Sequence, residues 1–166
     1  MNVLFLDIDG VLNSHTTARK HGSYCIDSVL AERFKALVKA TSATVVLSST
    51  HRLYAETRCG VLAAGILFES CTPDLPPQTR ADEIRAWLQE HPEVKRYAVL
   101  DDGPVPGHPL FRTSVRHGLT EKLCKAVLLH FSNHEVPTSC ALCVVRRFFG
   151  TRLEGTWRTS SKLFSH

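Results

Sequence analysis

The stretch "VLFLDIDGVLNS", residues 3–14, stays apolar as far as Leu6 and Ile8, carries two aspartates one residue apart, and then meets a glycine. Val3, Leu4, Phe5, Leu6 and Ile8 leave no polar face, which is the pattern of a strand buried on both sides of a parallel sheet. Asp7 and Asp9 put charge at the end of that strand, and Gly10 permits the sharp turn by which the chain leaves the sheet. Aspartate after a strand is also ordinary turn chemistry. The reading therefore depends on what else gathers at the same end of the sheet.

Working outward, "ATVVLSS" (43–49) reads as a second buried strand ending in Ser48 and Ser49, and "RYAVLDD" (96–102) as another ending in Asp101 and Asp102. Residues 13–24 have no period and read as a loop. From Asp27 or Ser28 as N-cap, Val29, Leu30, Phe34, Leu37 and Val38 fall at helical spacing to about Ala40. Residues 51–64 read as a helix closed by Gly65, followed by a short strand "ILF" (66–68). The three prolines of "TPDLPPQ" (72–78) break the chain before a helix that Thr79 caps and that uses Ile84, Trp87 and Leu88. A short apolar piece at Leu110 and Phe111 precedes a last helix, capped by Thr120 and carrying Leu123, Val127, Leu128 and Phe131. Strands and helices alternate, which predicts an α/β fold with a mainly parallel sheet.

The 166 residues suit one compact domain. With 43% hydrophobic and 22% charged residues the chain has a globular composition, not that of a disordered segment. No apolar run approaches the roughly 20 residues a membrane helix needs, and Asp7 and Asp9 are foreign to a signal peptide. The expectation is a cytoplasmic protein with no membrane contact, its six cysteines reduced thiols. The net charge of +4 is uneven, +3 of it falling in residues 132–166.

In an open α/β sheet ligands bind at the C-terminal ends of the strands. Three such ends bring Asp7, Asp9, Asp101, Asp102 and the Ser48–Ser49 hydroxyls toward one place. Carboxylates packed that closely repel one another unless a cation is present. A hard divalent ion with oxygen ligands, magnesium above all, answers that requirement.

"DIDGVLN" resembles the first motif of the haloacid dehalogenase (HAD) superfamily of phosphohydrolases. Ser48, ending "VVLS", resembles the second-motif Ser/Thr; Arg80 in "TRADEIRAWL" the third-motif Lys/Arg; and "VLDD" the acidic fourth motif, all in the family's order. Together with "VLSSTHR" and "HGLT", these segments are similar in particular to small HAD domains of RNA-repair proteins, over about residues 2–131. The resemblance implies a Rossmann-like, HAD-like sheet with helices on both faces and a phosphomonoesterase. Asp7 would be the nucleophile forming an aspartyl-phosphate, and Asp9 the general acid and then base. Ser48, Ser49, Gly10 and Arg80 would bind the phosphate. Magnesium would be held by the Asp7 carboxylate, the Asp9 carbonyl and Asp102, with Asp101 acting through water or orienting Asp102. Simpler roles compete: turn formation for the aspartates, a helix N-cap for the serines, and a solvated helix face for Arg80, which stands where lysine is commoner.

Many members of this superfamily insert a cap after the first motif or between the second and third. Residues 13–26 leave room only for a flap, and 51–79 are largely used by one helix and one strand. A capless enzyme is expected, its open site covered by a macromolecular substrate or a partner subunit. Nucleic-acid end phosphates are then favoured, with oligomerisation open. The alternatives are a small-molecule or nucleotide phosphatase, or a non-catalytic binding module. His15, Arg19, Lys20, His21, His51 and Arg52 are expected in the rim loops, where they either attract a polyanion or are merely solvated. The chain divides into a catalytic domain, 1–131, and a basic, aromatic extension, 132–166, read as packing apolar side chains on the core. A zinc set of His130, His134, Cys140 and Cys143 can be written, but its spacing is unusual and unbound side chains are the reading taken.

Overall fold

The computed structural model describes residues 1–21 and 25–132. Five strands, β1 (Asn2–Leu6), β2 (Thr44–Leu47), β3 (Ser70–Cys71), β4 (Arg96–Asp101) and β5 (Leu110–Arg112), form one sheet in the order β3-β2-β1-β4-β5. Every pairing is parallel. The predicted α/β architecture is the observed one, with no cap among the described residues.

β1 lies at the centre and is buried on both faces, as its unbroken apolar run requires. Leu4 and Leu6 join the cluster containing Phe34 and Leu37 of α2 (Ser28–Thr41), Val61 of α3 (Ala55–Ala63), and Cys124, Val127 and Leu128 of α5 (Glu121–Ser132). Val3 and Phe5 face the other way, toward Ala81, Ile84 and Trp87 of α4 (Arg80–Glu90). Trp87 meets Phe5 edge-on with ring centroids 5.3 Å apart, and its indole N–H donates to Ser70 Oγ at 3.1 Å. Helices therefore cover both faces, with α4 alone among the described helices in the core on its side.

Local signals set the helix starts. Asp27 Oδ1 accepts from the Val29 and Leu30 amides at 2.9 and 3.1 Å, and Thr79 with Asp82 forms a capping box at the start of α4. Three predicted elements are corrected. Within the expected loop 13–24, His15–His21 is a helix, α1, entered through Ser14, whose Oγ accepts from the Thr17 amide. The expected helix 51–64 is instead a 3-10 turn, Thr50–Leu53, and then α3, separated by Tyr54 in an extended conformation. "ILF" is no strand: Ile66 is buried, Leu67 is exposed, and sheet pairing starts at Ser70.

No helix among the described residues is long and apolar enough to cross a membrane. The four cysteines within them, Cys25, Cys59, Cys71 and Cys124, are not joined in disulfides. Of the zinc set that could be written, His130 sits between Phe111 and Phe131 with Nε2 2.8 Å from the Tyr97 carbonyl. The other three residues lie outside the described residues, as does all of the extension beyond Ser132, the last residue of α5.

Candidate active site

The three central strands, β2, β1 and β4, end together and set the polar residues side by side. Asp7 follows β1 with its amide on the Leu100 carbonyl at 2.9 Å, and Ser48 follows β2 with its amide on the Leu6 carbonyl at 2.9 Å. Asp101 is the last residue of β4 and Asp102 the next. One carboxylate oxygen from each of Asp7, Asp101 and Asp102 lies within 4.8 Å of the others. Asp7 and Asp101 are buried and Asp102 half-buried. A set of hard oxygen donors this close fits a divalent cation such as magnesium.

Gly10 brings these loops together for two reasons. Its φ of +68° is a conformation that side-chain-bearing residues rarely adopt, and a Cβ there would stand 2.7 Å from Asp102 Cγ. The turn after β1 thus presses its backbone against the Asp102 carboxyl.

Arg80, the first residue of α4, reaches over the cluster. Nη1 lies 2.9 Å from Asp7 Oδ1 and also bonds Asp101 Oδ2, while the other Asp101 oxygen accepts from the Gly103 amide at 2.8 Å. Burial pushes the Asp7 carboxyl up to about 6, with Arg80 working against that rise and the Asp101 charge adding to it. Burial also opposes the Arg80 charge, but the Asp7 and Asp101 carboxylates more than offset it and hold the guanidinium above its usual range. Arg80 is therefore no solvated helix-face residue.

Asp9 points elsewhere. Its carboxyl is about half exposed and lies outside the three-carboxylate cluster. Asn13 Nδ2 donates to Asp9 Oδ1 at 2.7 Å, and His51 Nε2 lies 3.3 Å from Asp9 Oδ2. These neighbours hold the Asp9 carboxyl below the ordinary range, His51 most of all. Asn13 also accepts the Gly10 amide at 2.9 Å, closing the turn.

The two serines differ. Ser49 accepts the His51 amide at 3.3 Å and so caps the 3-10 turn, and its hydroxyl works to lower the Asp7 carboxyl against the rise that burial causes. Ser48 Oγ is fully buried and has no hydrogen-bond partner among the described residues.

Sequence reasoning missed what Asn13, His51 and Arg52 do. His51 and Arg52 are buried, not exposed on the rim. The Arg52 guanidinium donates to the carbonyls of Ser48, Ser49, Thr72 and Pro73 at 3.0–3.1 Å and pairs with Glu83 Oε1 at 2.7 Å. It joins the end of β2, the chain after β3, and α4. An arginine three residues after a strand-end Ser-Ser is the available signal, though charge alone gives no hint of burial. His15 and Arg19 sit exposed on α1 rather than in a loop, and the side chains of Lys20 and His21 lie outside the description.

The profile of the family described as "HAD domain in Swiss Army Knife RNA repair proteins" matches residues 3–124, which span all four motif positions, and points to phosphohydrolase-type activity. No curated protein and no solved structure gives a match to this sequence.

Proposed function

Because the chain belongs to the family of the HAD domain in Swiss Army Knife RNA repair proteins, we propose that it is a magnesium-dependent phosphomonoesterase working through an aspartyl-phosphate on Asp7. The observation that carries this reading is the placement of Asp7 between an acidic cluster and the Arg80 guanidinium, with a second carboxyl, Asp9, two residues on and turned away from that cluster. Asp7, the Asp9 carbonyl and Asp102 would hold the ion, with Asp101 orienting the site, since both Asp101 oxygens are already engaged by Arg80 and Gly103. Bound there, magnesium supplies positive charge for the phosphoryl oxygens and for the carboxylates that surround it.

In the first step an Asp7 oxygen attacks phosphorus. The bond to the leaving oxygen breaks, and that oxygen takes a proton from Asp9. In the second step Asp9 takes a proton from water, the water oxygen attacks phosphorus, and the bond to Asp7 breaks to give inorganic phosphate. Arg80 balances charge on the phosphoryl group in flight. Ser48, with its unpartnered Oγ, Ser49 and the Gly10 turn complete the phosphate-binding wall.

With no cap among the described residues, a substrate large enough to cover the site itself is favoured, and a nucleic acid carrying an end phosphate has that property. Phosphate release from an aryl phosphate, with magnesium and with a chelator, for the parent and Asp7→Asn, tests the chemistry. Release that needs magnesium and is abolished in the variant is expected. A folded parent that releases nothing from aryl phosphates or from end-phosphorylated oligonucleotides overturns it in favour of a binding module. Faster turnover of mononucleotides than of the oligonucleotides would favour the small-molecule reading.

A further inference from the structure

We propose that His51 is a positioning residue for Asp9, clamping its carboxyl where it meets the leaving oxygen and then the hydrolytic water. The inference rests on the phosphatase reading and assigns a part of that site which the four motifs leave unassigned.

The geometry is asymmetric. Asp9 is about half exposed and lies on the turn after β1, where an unrestrained carboxyl would sample several rotamers. A proton donor works only when held within hydrogen-bond reach of the reacting oxygen. His51, in contrast, is almost wholly enclosed. Its amide is bonded to Ser49 Oγ at 3.3 Å and its carbonyl accepts from Thr57 Oγ1 at 2.7 Å. The enclosed imidazole sets its Nε2 3.3 Å from Asp9 Oδ2, an ion-pair distance, while Asn13 donates to Oδ1 at 2.7 Å. A group on each side of the carboxyl narrows the orientations open to it.

Ser49 extends the arrangement. Its amide bonds the Leu6 carbonyl, next to Asp7, at 3.3 Å and its hydroxyl accepts the His51 amide at 3.3 Å, so one residue ties the strand end that carries the nucleophile to the clamp on the acid–base residue. The placement of Asp9 relative to Asp7 is then set by the short segment Ser49–His51 as well as by the first motif.

The test exploits the two demands on Asp9. An alkyl phosphate needs a proton delivered to its leaving oxygen, whereas p-nitrophenyl phosphate releases a stable phenolate without one. Single-turnover release of the leaving group, with magnesium present, is measured for the parent, His51→Leu and His51→Gln. The Leu variant is expected to slow alkyl release by about 10- to 100-fold, less than the roughly 10²–10⁴-fold that a proton donor typically supplies because Asp9 itself is retained, and aryl release by less than about threefold. Its phosphoenzyme should hydrolyse slowly from either substrate. The Gln variant, whose side-chain N–H reaches a similar point, should remain near the parent. The alkyl-to-aryl ratio does not depend on the fraction of protein folded, and His51→Ala serves if the Leu variant does not fold. Equal losses on both substrates, or a Gln variant as selective in its defect as Leu, overturn the assignment to His51 alone. A parent without turnover of either substrate overturns the phosphatase reading, and this inference with it.

Discussion

Asp7 sits where folding would prefer a neutral side chain. Its carboxyl is buried and pushed up to about 6 against an ordinary value of 3.8. Between those two values the folded chain holds more protons than the unfolded one, so stability falls as pH rises through that window. Asp7→Asn removes the effect. In metal-free buffer at pH 7 the variant should be more stable than the parent by about 2–3 kcal/mol, the advantage shrinking to nothing below about pH 4. Urea denaturation at both pH values checks it, and an Asn variant no more stable at pH 7 would show that Arg80 already neutralises the site. Residues of this kind were legible because they break a pattern: Asp7 and Asp101 interrupt apolar strands. Asn13 and His51 break none, since their importance comes from partners brought near by the turn after β1 and the strand pairing of β2.

At the level of elements, the Arg52–Glu83 pair fixes α4 against the end of β2, one helical turn from Arg80. Both side chains are buried, so removing one partner strands a charge as well as several carbonyls. Arg52→Met should cost about 3–5 kcal/mol in chemical denaturation. A double-mutant cycle with Glu83→Gln should return a coupling of about 1–3 kcal/mol. A loss below about 1 kcal/mol would mean the carbonyls find water instead. Helices with a cap and an apolar stripe, α2, α4 and α5, were readable in the sequence. α1 was not, because His15–His21 has only a short run of mainly polar residues and no stripe to signal it. The 3-10 turn was hidden too: no glycine or proline interrupts residues 50–59, and only the extended backbone of Tyr54 divides the turn from α3.

For the whole molecule, the class of fold followed from alternating strands and helices, but the strand order did not. Chain order places β1 first, whereas space places it in the middle, between β2 and β4. Crossovers in both directions from β1 produce that order, and the ends of three neighbouring strands then become one site. Native-state hydrogen exchange should reflect the layout: the amides of Leu4 to Leu6 and Ala98 to Leu100 should exchange only on global unfolding, and Cys71 much sooner. Equal protection across the sheet would contradict a centre built on β1.

The outer strands have a further consequence. β3 is two residues long and β5 three, so beyond the longer inner strands the sheet tapers to almost nothing on either side. A neighbouring chain that tried to extend the sheet would find only a few unpaired backbone groups to template it. Edge-to-edge aggregation is thereby discouraged without charged or proline gatekeepers on long margins. Among the described residues, contacts between copies would then fall to side chains on the helical faces.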